Sequence, residues 1–187
     1  MNTVDDCFCL FDDDDGRAIL LSDYRRTIFL DENGGESQLS AVFAVFEGAS
    51  ANGEWIALAA DYALGACFEP SVEQPEAERP PLRGWVFGKA TLFASSEVSA
   101  FLERKLSVLA EHERVAGVAE LVASLDAQSY AASVEQVLRW IADGECYQIN
   151  LTFPLDFRLY GHPLALYAQL RERQPVRYGA FIAAPEE

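Results

Sequence analysis

Histidine and lysine are scarce in this sequence, with two residues of each, and both shortages restrict the chemistry available to it. His112 and His162 alone give little raw material for a histidine-based zinc site or a Ser-His-Asp triad, so hydrolase and metalloenzyme chemistry start at a disadvantage. The four cysteines, Cys7, Cys9, Cys67 and Cys146, form no C-x-x-C pair. They read as buried thiols rather than metal ligands or disulfides. No run of Lys or Arg is present, and 14 basic against 30 acidic residues leave a formal charge of -16, which repels phosphate backbones and anionic headgroups. Nucleic acid and membrane surfaces are therefore poor partners, and neither is expected. No stretch reaches the roughly 18 apolar residues that would span a bilayer. The first six residues carry two acids and no basic segment, so a cytoplasmic location is expected.

What is there is a chain of 187 residues, 50% hydrophobic, long enough for one ordinary core and a second small one. Much of the acidity is local, in Asp12, Asp13, Asp14 and Asp15 and in residues 73–78. Both clusters read as solvated loops, because Asp12 to Gly16 lacks the alternating ligands and distal Glu of a calcium-binding EF-hand loop.

Short apolar runs at 7–11, 18–21 and 27–30, with Asp15-Gly16 between the first two, predict an antiparallel hairpin or meander. Ser37 is placed to cap a helix bearing Leu39, Val42, Phe43 and Phe46 at i, i+3, i+4, i+7, with Gly48 near its end. Residues 55–60 and 83–93 read as strands, and the proline-rich, acidic stretch 69–81 between them as an exposed loop. Ser95 or Ser96 starts a further helix. Residues 114–130 fit a short helix or an irregular strand equally well. Then Ser133 and Gln136 form a capping-box pattern ahead of the stripe Val134, Val137, Leu138 and Ile141, with Gly144 in position to end the helix in a left-handed conformation. Beyond it, Tyr147, Ile149, Leu151 and Phe153 alternate with Gln148, Asn150 and Thr152, the period-2 pattern of a strand with one buried face. A strand through Leu155, Phe157 and Leu159 follows Pro154, His162-Pro163 opens a helix with proline at its first position, and residues 178–183 make a last strand. Together these predict an α+β fold, a mostly antiparallel sheet with flanking helices.

The amide and hydroxyl row of Gln148, Asn150 and Thr152 carries two readings. It is a solvated or network-satisfied strand face, or a surface that reads hydroxyl and carboxylate groups of a small ligand, since amides offer both donor and acceptor.

Residues 130–153, YAASVEQVLRWIADGECYQINLTF, followed by residues 162–182, HPLALYAQLRERQPVRYGAFI, resemble the N-terminal boundary of the chorismate-binding region in the family of aminodeoxychorismate synthase component I and anthranilate synthase. The helix, the Gly-x-x-Tyr-Gln-x-Asn-Leu-Thr segment, the x-Pro-x-x-Leu-Tyr helix and the Tyr-x-Ala-Phe strand occur in the family's order. Residues 53–65 and 83–87 are similar to it more loosely, and Tyr-Gln-x-Asn-Leu-Thr is nearer to the aminodeoxychorismate branch. The resemblance implies an N-terminal α+β domain over 1–125 and an incomplete chorismate-binding domain from 126 to 187. It implies replacement of the chorismate 4-hydroxyl by ammonia from a glutamine amidotransferase partner, with Mg2+ neutralising the substrate carboxylate, for p-aminobenzoate and folate synthesis.

The family's catalytic lysine and acidic motifs lie downstream of Tyr-x-Ala-Phe, and Lys89 and Lys105 match none of them. No catalytic residue or metal ligand is therefore expected here. Gln148, Asn150, Thr152 and Tyr178 are the substrate- or effector-adjacent candidates. Arg177 departs from the proline usual before that aromatic, where some members bind an aromatic amino acid, and Tyr178 also reads as a core aromatic. Two alternatives stay open: a catalytically silent module binding the glutaminase partner or an aromatic effector, and a portion of an anthranilate or isochorismate synthase.

Overall fold

The computed structural model describes residues 7–13, 15–31, 35–69, 71 and 79–185. The chain divides into two compact units, Met1–Arg104 with Arg171–Glu187, and Lys105–Leu170. Residue 125 falls within the second.

The first unit is built on a five-stranded antiparallel sheet of order β3-β4-β2-β1-β7, formed by β1 (Phe8–Asp12), β2 (Ala18–Phe29), β3 (Trp55–Ala60), β4 (Leu82–Phe93) and β7 (Ala180–Ala183). Helices α1 (Glu36–Ala51) and α2 (Ser95–Ser107) flank it, as the expected α+β class requires. The β1–β2 hairpin turns where the sequence places Asp15-Gly16: Gly16 adopts φ +70°, and the Asp13 amide donates to the Arg17 carbonyl at 3.0 Å. The Asp15 amide donates to the Asp13 carboxylate at 2.9 Å, which with the neighbouring Arg17 holds that carboxyl below its ordinary range.

The sequence predicts two short runs where the structure has the single strand β2. The polar break at 22–26 does not end the strand, because a bulge between Tyr24 and Arg26, with Asp23 at φ 63°, absorbs it. Tyr24 packs edge-on to Phe87 at 5.9 Å and shares a 2.7 Å hydrogen bond with the Thr27 hydroxyl, so the bulged segment stays attached to β4.

In α1, Leu39, Val42 and Phe46 are buried as the spacing predicts, whereas Phe43 is 39% exposed. Its N-cap is Gly35 with no side-chain hydrogen bond, so Ser37 lies inside the first turn instead of capping it. Gly48 lies in the last turn, near the helix end as expected. The stop comes at Asn52-Gly53, where Gly53 takes φ +78° and its amide donates to Ser50 O while the Glu54 amide donates to Ala49 O, a Schellman pair.

Gly84 and Trp85 are neighbours in β4 and face opposite sides of the sheet. On the Gly84 side, α1 packs Leu39, Val42 and Phe46 against Leu30 and Leu82, and a Cβ on Gly84 would lie 2.6 Å from Phe46 Cζ. Only glycine permits that approach. On the Trp85 side, Cys9, Leu21, Ala57, Trp85 and Phe87 form a second cluster, in register through the pairs Cys9–Leu21 and Ala57–Trp85. Trp85 Nε1 donates to Pro185 O at 2.7 Å. Each large side chain so buried contributes about 1.5–3 kcal/mol. Phe101 of α2 meets Phe8 at 5.2 Å and Phe93 at 5.6 Å, fixing that helix to the sheet.

The four cysteines are thiols, not disulfides; Cys7 and Cys9 are buried as expected, whereas Cys67 and Cys146 are only half-buried. Burial, with Cys7 alongside, pushes the Cys9 thiol up to about 12. Because this folded-state value exceeds the unfolded one, the stability linked to Cys9 is intact below about pH 9 and is lost as pH rises towards 12, by at most about 1.4 kcal/mol per pH unit. Iodoacetamide at about pH 8 is expected to modify Cys67 and Cys146 in the native protein and to reach Cys9 only under denaturant. Native-state modification of Cys9, read by peptide mass, would contradict this burial.

The second unit holds α3 (Glu111–Arg114), β5 (Gly117–Ala123), α4 (Ala127–Ala142) and β6 (Leu155–Tyr160), with most of α5 (Pro163–Arg173), whose last three residues belong to the first unit. The ambiguous stretch 114–130 thus resolves into the end of a helix, a strand and the start of another helix. β5 and β6 pair antiparallel as a two-stranded ribbon with a bulge between Ala119 and Val122, where Glu120 has φ 56° and meets Arg158 at 2.8 Å.

Helix α4 begins at Ala127, well ahead of the predicted cap at Ser133, because Asp126 caps it instead. Asp126 Oδ1 accepts the Ser129 amide at 2.7 Å, and the alanine-rich turn that follows carries the helix through Ser133, whose hydroxyl donates to Ser129 O at 2.9 Å. The bonds that Asp126 accepts from Ser129 also hold its carboxyl below the ordinary range. The stop is as expected: Gly144 has φ +77°, its amide donates to Ile141 O, and the Glu145 amide donates to Trp140 O.

The strand expected over 147–153 does not form. Among the described residues β5 pairs only with β6, so the alternating segment has no ladder partner, and Tyr147 is 99% exposed. The predicted strand through Leu155 is β6. His162 Nδ1 accepts the Leu164 amide at 3.1 Å and so caps α5, with Pro163 at its first position as expected. In the first unit, the last strand is shorter than predicted, because residues 177 and 178 form a turn. The loop expected over 69–81 lies largely outside the described residues, and Asp14 and the whole acidic stretch 73–78 lie outside them.

Candidate functional site

Gln148, Asn150 and Thr152 lie in the second unit, in the extended stretch between α4 and β6, and all three are exposed. Gln148 Nε2 donates to Asn150 Oδ1 at 3.3 Å, so two of the three amide and hydroxyl groups are brought together locally. Tyr178 belongs to the first unit. It is 77% exposed in the turn before β7, which corrects its reading as a core aromatic: the strand starts two residues later, and the ring has no sheet face to occupy.

The first unit holds a cavity of about 290 Å³ lined by Asp12, Asp13, Ser95, Arg171, Val176 and Arg177, among others. Its floor is an ion pair. Arg171 Nε donates to Asp12 Oδ1 at 2.8 Å and Arg171 Nη2 donates to Gly16 O at 3.1 Å. The Asp12 side chain is 5% exposed and that of Arg171 20%, so the pair sits mostly out of water. The Asp12 amide meanwhile donates to Gly179 O at 2.8 Å, where β1 meets the approach to β7.

Reading Asp12 as part of a solvated acidic loop is therefore corrected. The signal was present: Phe8, Leu10 and Asp12 alternate on one face of β1, and the first two are buried. Arg171 gave no comparable local signal. With both charges of the floor compensated, Asp13, Ser95 and Arg177 are left as the polar lining that a small polar molecule would meet.

Among the described residues no three His, Cys, Asp or Glu side chains come together as a metal site. Nor is any helix of the described residues long and apolar enough to cross a membrane.

Fold and site together define an α+β protein with a curled antiparallel sheet and a polar cavity beside its first hairpin. Residues 6–187 match the family of chorismate binding enzymes, and the chain belongs to that family. It is similar to aminodeoxychorismate synthase component 1 of Bacillus subtilis, 33% identical over 57 residues that make 30% of this chain and 12% of the relative. It is similar to anthranilate synthase component 1 of Thermus thermophilus, 33% identical over 70 residues, 37% of this chain and 15% of the relative. The chloroplastic aminodeoxychorismate synthase of Arabidopsis thaliana is 40% identical over 57 residues, 29% of this chain and 6% of that protein. The matched stretch is thus a small part of each relative's length.

Proposed function

We propose that this chain is the N-terminal portion of an aminodeoxychorismate synthase component I, which converts chorismate and ammonia to 4-amino-4-deoxychorismate and water. In this reading a glutamine amidotransferase supplies the ammonia, Mg2+ is held by residues outside this chain, and the reaction serves folate synthesis in the cytoplasm. The observation that carries it is the ordered series of motifs over 130–153 and 162–182 inside a family match that runs from residue 6 to 187. Two of the three relatives named above are aminodeoxychorismate synthases, which supports this reaction over anthranilate formation.

The test is turnover. The 187-residue chain and a longer protein carrying the downstream reading frame are incubated with chorismate, Mg2+ and an ammonium salt, and the product is identified by chromatography. Aminodeoxychorismate from the longer protein alone is the expected result. Anthranilate or isochorismate as the product would replace the assigned reaction, and turnover by this chain alone would relocate the chemistry into it.

The chain's own contribution is the polar row of Gln148, Asn150 and Thr152 as a substrate-adjacent surface. Gln148→Ala in the longer protein is expected to lower chorismate turnover about tenfold, the loss of roughly one hydrogen bond to a charged group. Unchanged kinetics in a folded variant would remove Gln148 from the site.

A further inference from the structure

We draw no further inference here: the strongest candidate, the exposed apolar face that Val118 of β5 and Leu155, Phe157 and Leu159 of β6 present in the second unit, is a ribbon face unpartnered among the described residues, and nothing in the structure shows what covers it.

Discussion

Asp12→Ala is expected to lower the unfolding free energy of the first unit by about 3 kcal/mol, the lower end of the range for breaking a buried ion pair by removing one partner. The reason is the charge left behind. Arg171 keeps its bond to Gly16 O but loses the carboxylate at 2.8 Å, in a site where its side chain is only 20% exposed. That residual exposure lets the guanidinium turn partly towards water, which is why the lower end applies. The double variant Asp12→Ala/Arg171→Leu removes both charges and is expected to recover much of the loss. Urea titration followed by circular dichroism measures both. A single variant within about 0.5 kcal/mol of the parent would show that the pair contributes nothing beyond an ordinary surface contact.

Gly161→Ala is the second large effect, and Gly144→Ala is its control. Both glycines have left-handed backbones, with φ +75° and +77°, so alanine incurs about 1 kcal/mol of conformational strain at either. Their surroundings differ. Nothing lies within 4 Å of a Cβ added at Gly144, whereas one added at Gly161 would sit 2.7 Å from Ala116 Cα and closer still to Val115 O. Those are backbone atoms and cannot swing aside. The segment must move, and with it the 2.8 Å bond from the His162 amide to Glu113 O.

Gly161→Ala is thus expected to cost about 3 kcal/mol or more against about 1 for Gly144→Ala. Hydrogen exchange would show the difference as lost protection in β5 and β6 with the first unit's sheet unaffected. Equal losses in the two variants would mean that the contact relaxes without cost.

Several elements were legible because their causes are local. The stripe of Leu39, Val42 and Phe46 is buried as its spacing requires, and Gly144 ends α4 where a left-handed residue was needed. Other expectations failed where two local signals competed. Ser133 and Gln136 have the pattern of a cap, yet Asp126 offers a cap earlier and the alanines between them propagate the helix. The polar break in β2 looked like a strand end, but a bulge accommodates it opposite Gly88, where an added Cβ would meet Arg25 Nη2 at 2.8 Å. Of the candidate site, Gln148 and Asn150 were picked out by type and spacing, while the Asp12–Arg171 floor of the cavity joins residues separated by 159 positions.

By itself the sequence determined the α+β class, the hairpin at Gly16, the helix stripe of α1 and the order of motifs shared with chorismate binding enzymes. Periodicity, capping groups and glycine conformation act over a few residues, so a sequence displays them directly. Tertiary structure alone decided that residues 147–153 form no strand and that Arg171 is the counter-charge of Asp12. A strand needs a ladder partner and a buried carboxylate needs a counter-charge, and both are supplied by residues far away in the chain.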